Sequence, residues 1–151
     1  MNLSWQGHED VGAPFGALWA FINDPDSVAN CVPDLIEAVV QDARHFEATV
    51  KVGVGPVKGK LKLKIELEPQ ADGKRMNLKI SGGGLGSVVD LMAGADIKDN
   101  GDSTTSLDWS GTATMRGAIA SVAGRVIDAQ ALRVITTTFA NVRERCNSSS
   151  G

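Results

Sequence analysis

The chain has 151 residues, 42% hydrophobic and 22% charged, with a formal net charge of -3. That length suits one domain around a single core, and the composition excludes a disordered chain. The acidic balance argues against nucleic-acid binding, which needs a basic surface to meet phosphate.

Asn2 to Val11 alternates loosely and reads as a first strand. Pro14 stands where a helix can begin, and Phe15, Leu18, Trp19 and Ile22 recur at helical spacing until Asn23-Asp24-Pro25 stops them. A second short helix follows, with Asp24 or Asp26 near its start, and ends at Pro33. From Leu35 the period changes to two. Ile36 to Val40 forms one strand, and Phe46, Ala48, Val50, Val52 and Val54 form the apolar parity of the next. Gly53, Gly55 and Pro56 break that run.

Val57 to Pro69 carries the clearest pattern in the chain. Val57, Gly59, Leu61, Leu63, Ile65 and Leu67 alternate with Lys58, Lys60, Lys62, Lys64, Glu66 and Glu68. One face of this strand must be buried and the other wet, as in an antiparallel sheet packed on one side. Asp72-Gly73 turns the chain into a strand with Met76, Leu78 and Ile80. Beyond the glycines at 82–86 come Val89, Leu91, Ala93, Ala95 and Ile97. Asn100-Gly101 then leads to Leu107, Trp109, Gly111, Ala113 and Met115. From Ala118 to Cys146 a broad helical stripe includes Ile119, Val122, Val126, Ile127, Val134, Phe139 and Val142. The fold expected is α+β: a curved antiparallel sheet of six or seven strands, two short helices after the first strand, and a long C-terminal helix across the sheet. Residues 1–146 make one domain, and 147–151 read as a flexible tail or cloning remnant.

Catalytic and metal signatures are weak. The Ser81 to Ser87 glycine run leads into a strand rather than a helix and lacks Gly-Lys-Ser/Thr, so it reads as a hairpin loop, not a phosphate cradle. His8 and His45 have no Cys, His or carboxylate at ligand spacing, so no metal ligand is assigned. Asp90, Asp96 and Asp108 lie opposite apolar positions and read as a solvated face. Cys31 and Cys146 show no CxxC pattern and read as reduced thiols. No signal peptide or apolar run of about 18 residues is visible, which leads to the expectation of a soluble protein.

Two surfaces remain. Lys58, Lys60, Lys62 and Lys64, joined by Lys51 across the hairpin, either keep the sheet soluble or dock an acidic partner or anionic membrane. On the inward parities Ala93, Ala95, Gly111, Ala113, Ala123 and Ala131 are small, which suits a pocket for an apolar ligand or tight helix-to-sheet packing.

The element order is that of the helix-grip fold of START-type (SRPBCC) and birch-pollen-allergen-like proteins. Val11-Gly12-Ala13-Pro14, Leu18-Trp19, Asn23-Asp24-Pro25, Ala29-Asn30-Cys31-Val32-Pro33 and, above all, the run from Ala48 to Gly59 resemble the CoxG family of carbon monoxide dehydrogenase accessory proteins. Asp34 departs from it, standing where the family carries glycine. The resemblance implies a non-catalytic accessory protein with no covalent cofactor. It implies a quinone or lipid-like molecule in an internal cavity, with a molybdenum-containing carbon monoxide dehydrogenase or related enzyme as partner. Its place would be the cytoplasm, peripheral at the inner face of the plasma membrane. Strand parity and the fold likeness together put Val52, Leu61, Leu63, Ile65, Met76, Leu78, Leu91, Trp109, Met115, Val122 and Val126 on the cavity wall. The alternatives are an enzyme of the same fold, a cyclase or hydrolase, and a ligand-free docking adaptor.

Overall fold

The computed structural model describes residues 1–54, 57–70, 72–122 and 124–150. Gly55 and Pro56 of the expected strand break, the expected inward Ala123, and Gly151 lie outside the described residues. In chain order the elements are β1 (Asn2–Val11), α1 (Phe15–Ile22), α2 (Pro25–Ala29), β2 (Leu35–Val40), β3 (His45–Val54), β4 (Val57–Pro69), β5 (Arg75–Gly84), β6 (Ser87–Asp99), β7 (Thr105–Gly117), a 3-10 turn (Ala118–Ser121) and α3 (Gly124–Ser150).

The strands form one seven-stranded antiparallel sheet in the order β1-β7-β6-β5-β4-β3-β2. Alternation decides which face goes inward. On β4, Leu61, Ile65 and Leu67 are buried while Lys58, Lys60, Lys62 and Lys64 are exposed. The turn between β5 and β6 needs positive φ at both central residues, and Leu85 (57°) and Gly86 (69°) supply it between the paired Gly84 and Ser87. This is the hairpin expected of the glycine run. Asp24 caps α2 by accepting from the backbone N–H of Asp26 at 3.3 Å and from Ser27 Oγ at 2.7 Å, with Pro25 in the first turn.

The C-terminal stripe is not one helix from Ala118, as the sequence suggests. Gly117 takes a φ of 84°, Ala118–Ser121 forms a 3-10 turn whose Ile119 N–H donates to Ser87 Oγ at 2.9 Å, and Val122 is extended. Ile119 and Val122 are still buried, but from the connector. α3 starts afresh at Gly124, and its 27 residues span roughly 40 Å before ending at Ser150, within the stretch read as a tail.

α3 is fastened to both sides of the open sheet. On the β1 side, Trp5 Nε1 donates to Asp128 Oδ1 at 2.8 Å and Arg143 Nη1 donates to Glu9 Oε2 at 2.8 Å. On the β2 side, Asn141 Nδ2 donates to the Cys31 carbonyl at 2.9 Å and Arg133 Nη2 donates to Asp34 Oδ2 at 3.0 Å. Asp34 itself takes a φ of 60°. The left-handed backbone there explains why glycine suits the position, and the carboxylate adds a tether that glycine lacks.

The tethers generate two expectations. Glu9→Gln leaves Arg143 without its anion at a site where Glu9 is only 16% exposed, so urea unfolding should show a loss of about 1–3 kcal/mol. Asp34→Ala loses the exposed pair and keeps a Cβ at positive φ, whereas Asp34→Gly loses the pair and relieves the backbone. The glycine variant should therefore be the more stable of the two by about 1 kcal/mol in the same assay.

Candidate functional site

The apolar interior divides into two packed clusters. One gathers Val11, Leu18, Cys31, Phe46, Ile65, Leu67, Met76, Ile97, Leu107 and Val142 around α1, α2 and the last turns of α3. The other gathers Trp5, Val50, Leu61, Val89, Trp109, Met115, Ile119, Val122 and Ile127 around the 3-10 turn and the first turns of α3. Leu35, Leu63, Ala95 and Phe139 touch both. Between the clusters, the inward side chains of the middle strands are only half-buried: Leu63, Leu78, Ile80, Leu91, Ala93, Ala95 and Gly111. Ala131, Val134, Ile135, Thr138 and Phe139 of α3 are half-buried as well. Inward groups that water still reaches mark an inner cleft, because a filled helix-to-sheet contact would bury them.

The wall predicted from sequence is thus split. Val52, Leu63, Leu78 and Leu91 are half-buried, and the last three belong to the cleft. Leu61, Ile65, Met76, Trp109, Met115 and Val122 are buried within the clusters that flank it. Val126 is a correction: it is 42% exposed, and its neighbour Ile127 takes the inward position. Restarting the helix at Gly124 resets its phase, so a stripe counted from Ala118 points Val126 the wrong way. Ile80, Ile135 and Phe139 join the cleft in addition to the predicted wall. The parity of β5 and the helical spacing of α3 are the signals that point to them.

Trp109 is the polar exception in this apolar interior. Its ring stacks on Phe139 with centroids 5.3 Å apart and lies over Gly7, where a Cβ would come within 2.5 Å of the indole. Its Nε1 is buried with no hydrogen-bond partner among the described residues. Glu9 and Arg143, the ionic pair between β1 and α3, neutralise each other at 2.8 Å.

Two open grooves are also present. A space of about 550 Å³ is lined by Phe15, Trp19, Ile97 and the turns carrying Asp72 and Asp99. A second, of about 300 Å³, crosses β5, β6 and β7 beside Arg75, Met92 and Thr112. Leu78 is the one predicted wall residue on either lining, and Ala93 and Gly111 of the half-buried band share the second groove with it.

The lysines occupy the outer face as their parity requires. Lys62 pairs with Glu47 at 3.1 Å, so it is not a free cation. Lys51, Lys58, Lys60 and Lys64 are exposed and form no ion pair with a described residue. Cys31 and Cys146 are free, buried thiols, and burial raises both pKa values. His8 does have carboxylate neighbours, Asp108 brought by the β1–β7 register and Asp10 two residues along its own strand. It reaches Asp108 Oδ1 from Nδ1 at 2.7 Å and Asp10 Oδ1 from Nε2 at 2.9 Å. Asp108 and then Asp10 raise its pKa above 6.5. Among the described residues no group of three or more His, Cys, Asp or Glu side chains is placed to hold a metal.

The family model for CoxG, a carbon monoxide dehydrogenase subunit, matches residues 7–147. The chain belongs to the CoxG family. The helix-grip architecture of this CoxG-family chain recurs in solved structures. A conserved protein from Geobacillus kaustophilus superposes with a TM-score of 0.87 at 20% identity, over 99% of this chain and 98% of that one. A START superfamily protein from Mycobacterium smegmatis gives 0.75 at 10% identity, over 96% and 97%. The Zhui aromatase/cyclase from Streptomyces sp. R1128 gives 0.68 at 14% identity, over 97% and 94%. At these identities the likeness concerns the fold alone. A comparison with curated protein sequences returns no match.

The His8 cluster sets a pH dependence. A raised folded-state pKa contributes stability that is complete below 6.5 and lost as pH rises through the folded value. His8→Gln should therefore cost more stability in mildly acidic than in mildly alkaline buffer. In NMR titrations Asp108→Asn should bring the His8 pKa back toward 6.5.

Proposed function

We propose that this protein is a non-catalytic carrier that holds a quinone or lipid-like molecule in the cleft between sheet and α3. In this reading it serves a molybdenum-containing carbon monoxide dehydrogenase, or a related oxidoreductase, at the cytoplasmic membrane. The observation that carries it is the half-buried apolar band of Leu63, Leu78, Ile80, Leu91, Ala93 and Ala95, lying between two packed clusters under a helix tied at both sides. Such a band gains hydrophobic free energy when an apolar molecule replaces water, about 25 cal/mol for each Å² covered.

The unpartnered indole N–H of Trp109 favours a ligand that brings an oxygen acceptor, as a quinone does. Glu9 and Arg143 face each other at 2.8 Å as a tether between β1 and α3, which supports a structural role for the pair. Membership of a family named for a component of a dehydrogenase supports the accessory role and the choice of partner.

Native mass spectrometry and organic extraction of protein from its own host should recover a bound quinone or lipid. Repeated recovery of apo-protein would count against the carrier reading. Ala93→Phe places a ring in the cleft and should lower affinity for a short-chain quinone by tenfold or more while the far-UV spectrum is retained. Trp109→Phe keeps the stack on Phe139 and removes the N–H. It should weaken the quinone about tenfold, as loss of a buried hydrogen bond of about 1.4 kcal/mol would, and leave a matched hydrocarbon unaffected.

A further inference from the structure

β2 ends the sheet, and its outer edge meets no other strand of this chain. The phase of its ladder with β3 decides which backbone groups that edge leaves open. Gln41 N–H donates to the His45 carbonyl at 2.9 Å at one end, and Lys51 N–H donates to the Asp34 carbonyl at 2.9 Å at the other. Hydrogen-bonded and non-hydrogen-bonded pairs alternate along an antiparallel ladder, so Val39–Glu47 and Glu37–Thr49 bond across to β3. The N–H and C=O groups of Ala38 and Val40 therefore point off the edge. A bulge between Leu35 and Glu37 limits the regular stretch to residues 37–40.

The side chains along this edge are apolar and exposed. Ile36, Val39 and Val40 are 48%, 50% and 42% exposed, and Glu37 is the strand's one charge. Edge strands are ordinarily kept apart by lysine, proline or an inward charge, and β2 has none of these. The opposite edge differs. β1 carries His8, Glu9 and Asp10, and Trp5 and Glu9 tie it to α3.

We propose that β2 is a self-association edge, on which a second copy of this chain docks its own β2 antiparallel about a two-fold axis at Val39. The occupant is a strand because open N–H and C=O groups in strand geometry are satisfied by another strand. It is a second copy because the edge is self-complementary in this register. With Val39 opposite Val39, Ala38 lies opposite Val40 on both sides of the axis, and each such pair exchanges both of its hydrogen bonds. Glu37 then faces the amide of Gln41, and the two Val39 side chains meet at the close spacing of a non-hydrogen-bonded pair. Other registers are worse. An axis at Ala38 pairs Val40 with Ile36 at the bulge, and an axis at Glu37 opposes two carboxylates. Opposed residues of an antiparallel pair share a face, so both clefts stand on the same side of the joined sheet. A six-residue edge buries little area, which makes the dimer concentration-dependent rather than permanent. The proposal goes beyond the carrier reading and is independent of what fills the cleft.

Sedimentation velocity of the full chain from micromolar to millimolar concentration tests it, and the wild type should pass from monomer to dimer. Ala38→Pro removes an N–H that β3 does not use, so it should keep the fold and raise the dissociation constant about tenfold or more. Val39→Asp, a change at an exposed position, opposes two carboxylates and should do the same without touching the backbone. Circular dichroism should show each variant folded. Under diamide, which takes up the two thiol hydrogens, Val39→Cys should form a covalent dimer, because an opposed pair lies within disulfide range. Glu37→Cys is on the same face, but its copy lies opposite Gln41, so it should remain monomeric. Wild type, with Cys31 and Cys146 buried, gives the background. A monomer throughout the concentration range, dimerisation of Ala38→Pro and Val39→Asp as in the wild type, or equal crosslinking at Glu37→Cys and Val39→Cys would each overturn the proposal. So would capture of a foreign strand at β2 without self-association.

Discussion

The polar fastening of α3 to the two sides of an open sheet is the constraint on which the interior depends. Trp5–Asp128 and Glu9–Arg143 hold the helix to β1, while Cys31–Asn141 and Asp34–Arg133 hold it to the segment that leads into β2. These contacts act at the margins, so the helix spans the sheet and the middle strands need not meet it closely. Packing is completed at the two ends of the helix, where the buried clusters form, and remains incomplete between them. The cleft thus follows from where the helix is tied, together with the small Ala93, Ala95 and Gly111 on the strands beneath it.

Much of this fold is legible in the chain. The alternation from Val57 to Glu68 requires a strand with one wet face, and Leu61, Ile65 and Leu67 are buried while the lysines are exposed. Parity carries less information about partners. Lys62 meets Glu47 because of the β3–β4 register, and Lys51 faces Lys60 for the same reason. No pattern along one strand contains that register. His8 likewise finds Asp108 a hundred residues away, through the pairing of β1 with β7.

The C-terminal stripe shows a different limit. Ile119 and Val122 keep apolar spacing with the residues of α3 although they belong to a separate 3-10 turn and an extended link. Burial selected apolar residues in both pieces, and periodicity alone reads them as one. The break then shifts the helical phase, which accounts for Val126 outside and Ile127 inside. Asp34 is visible in the sequence as a departure from a family glycine, but its value as a tether depends on a helix a hundred residues later bringing Arg133 beside it.

The order of strands in the sheet bears on how the molecule is assembled. β2 through β7 follow one another as neighbours, so six strands can form by successive hairpins between segments close in sequence. β1 cannot join that process. Its strand partner is β7, where Asn2 lies against Thr114, and the loop to be closed spans most of the chain. During synthesis the first strand emerges long before its place in the sheet exists, and Trp5 and Glu9 wait with it for a helix made last. Docking of β1 therefore has to wait for β7, and its ties to α3 for the helix that follows, so the side wall and the roof of the cleft are the last parts for which the chain supplies both partners.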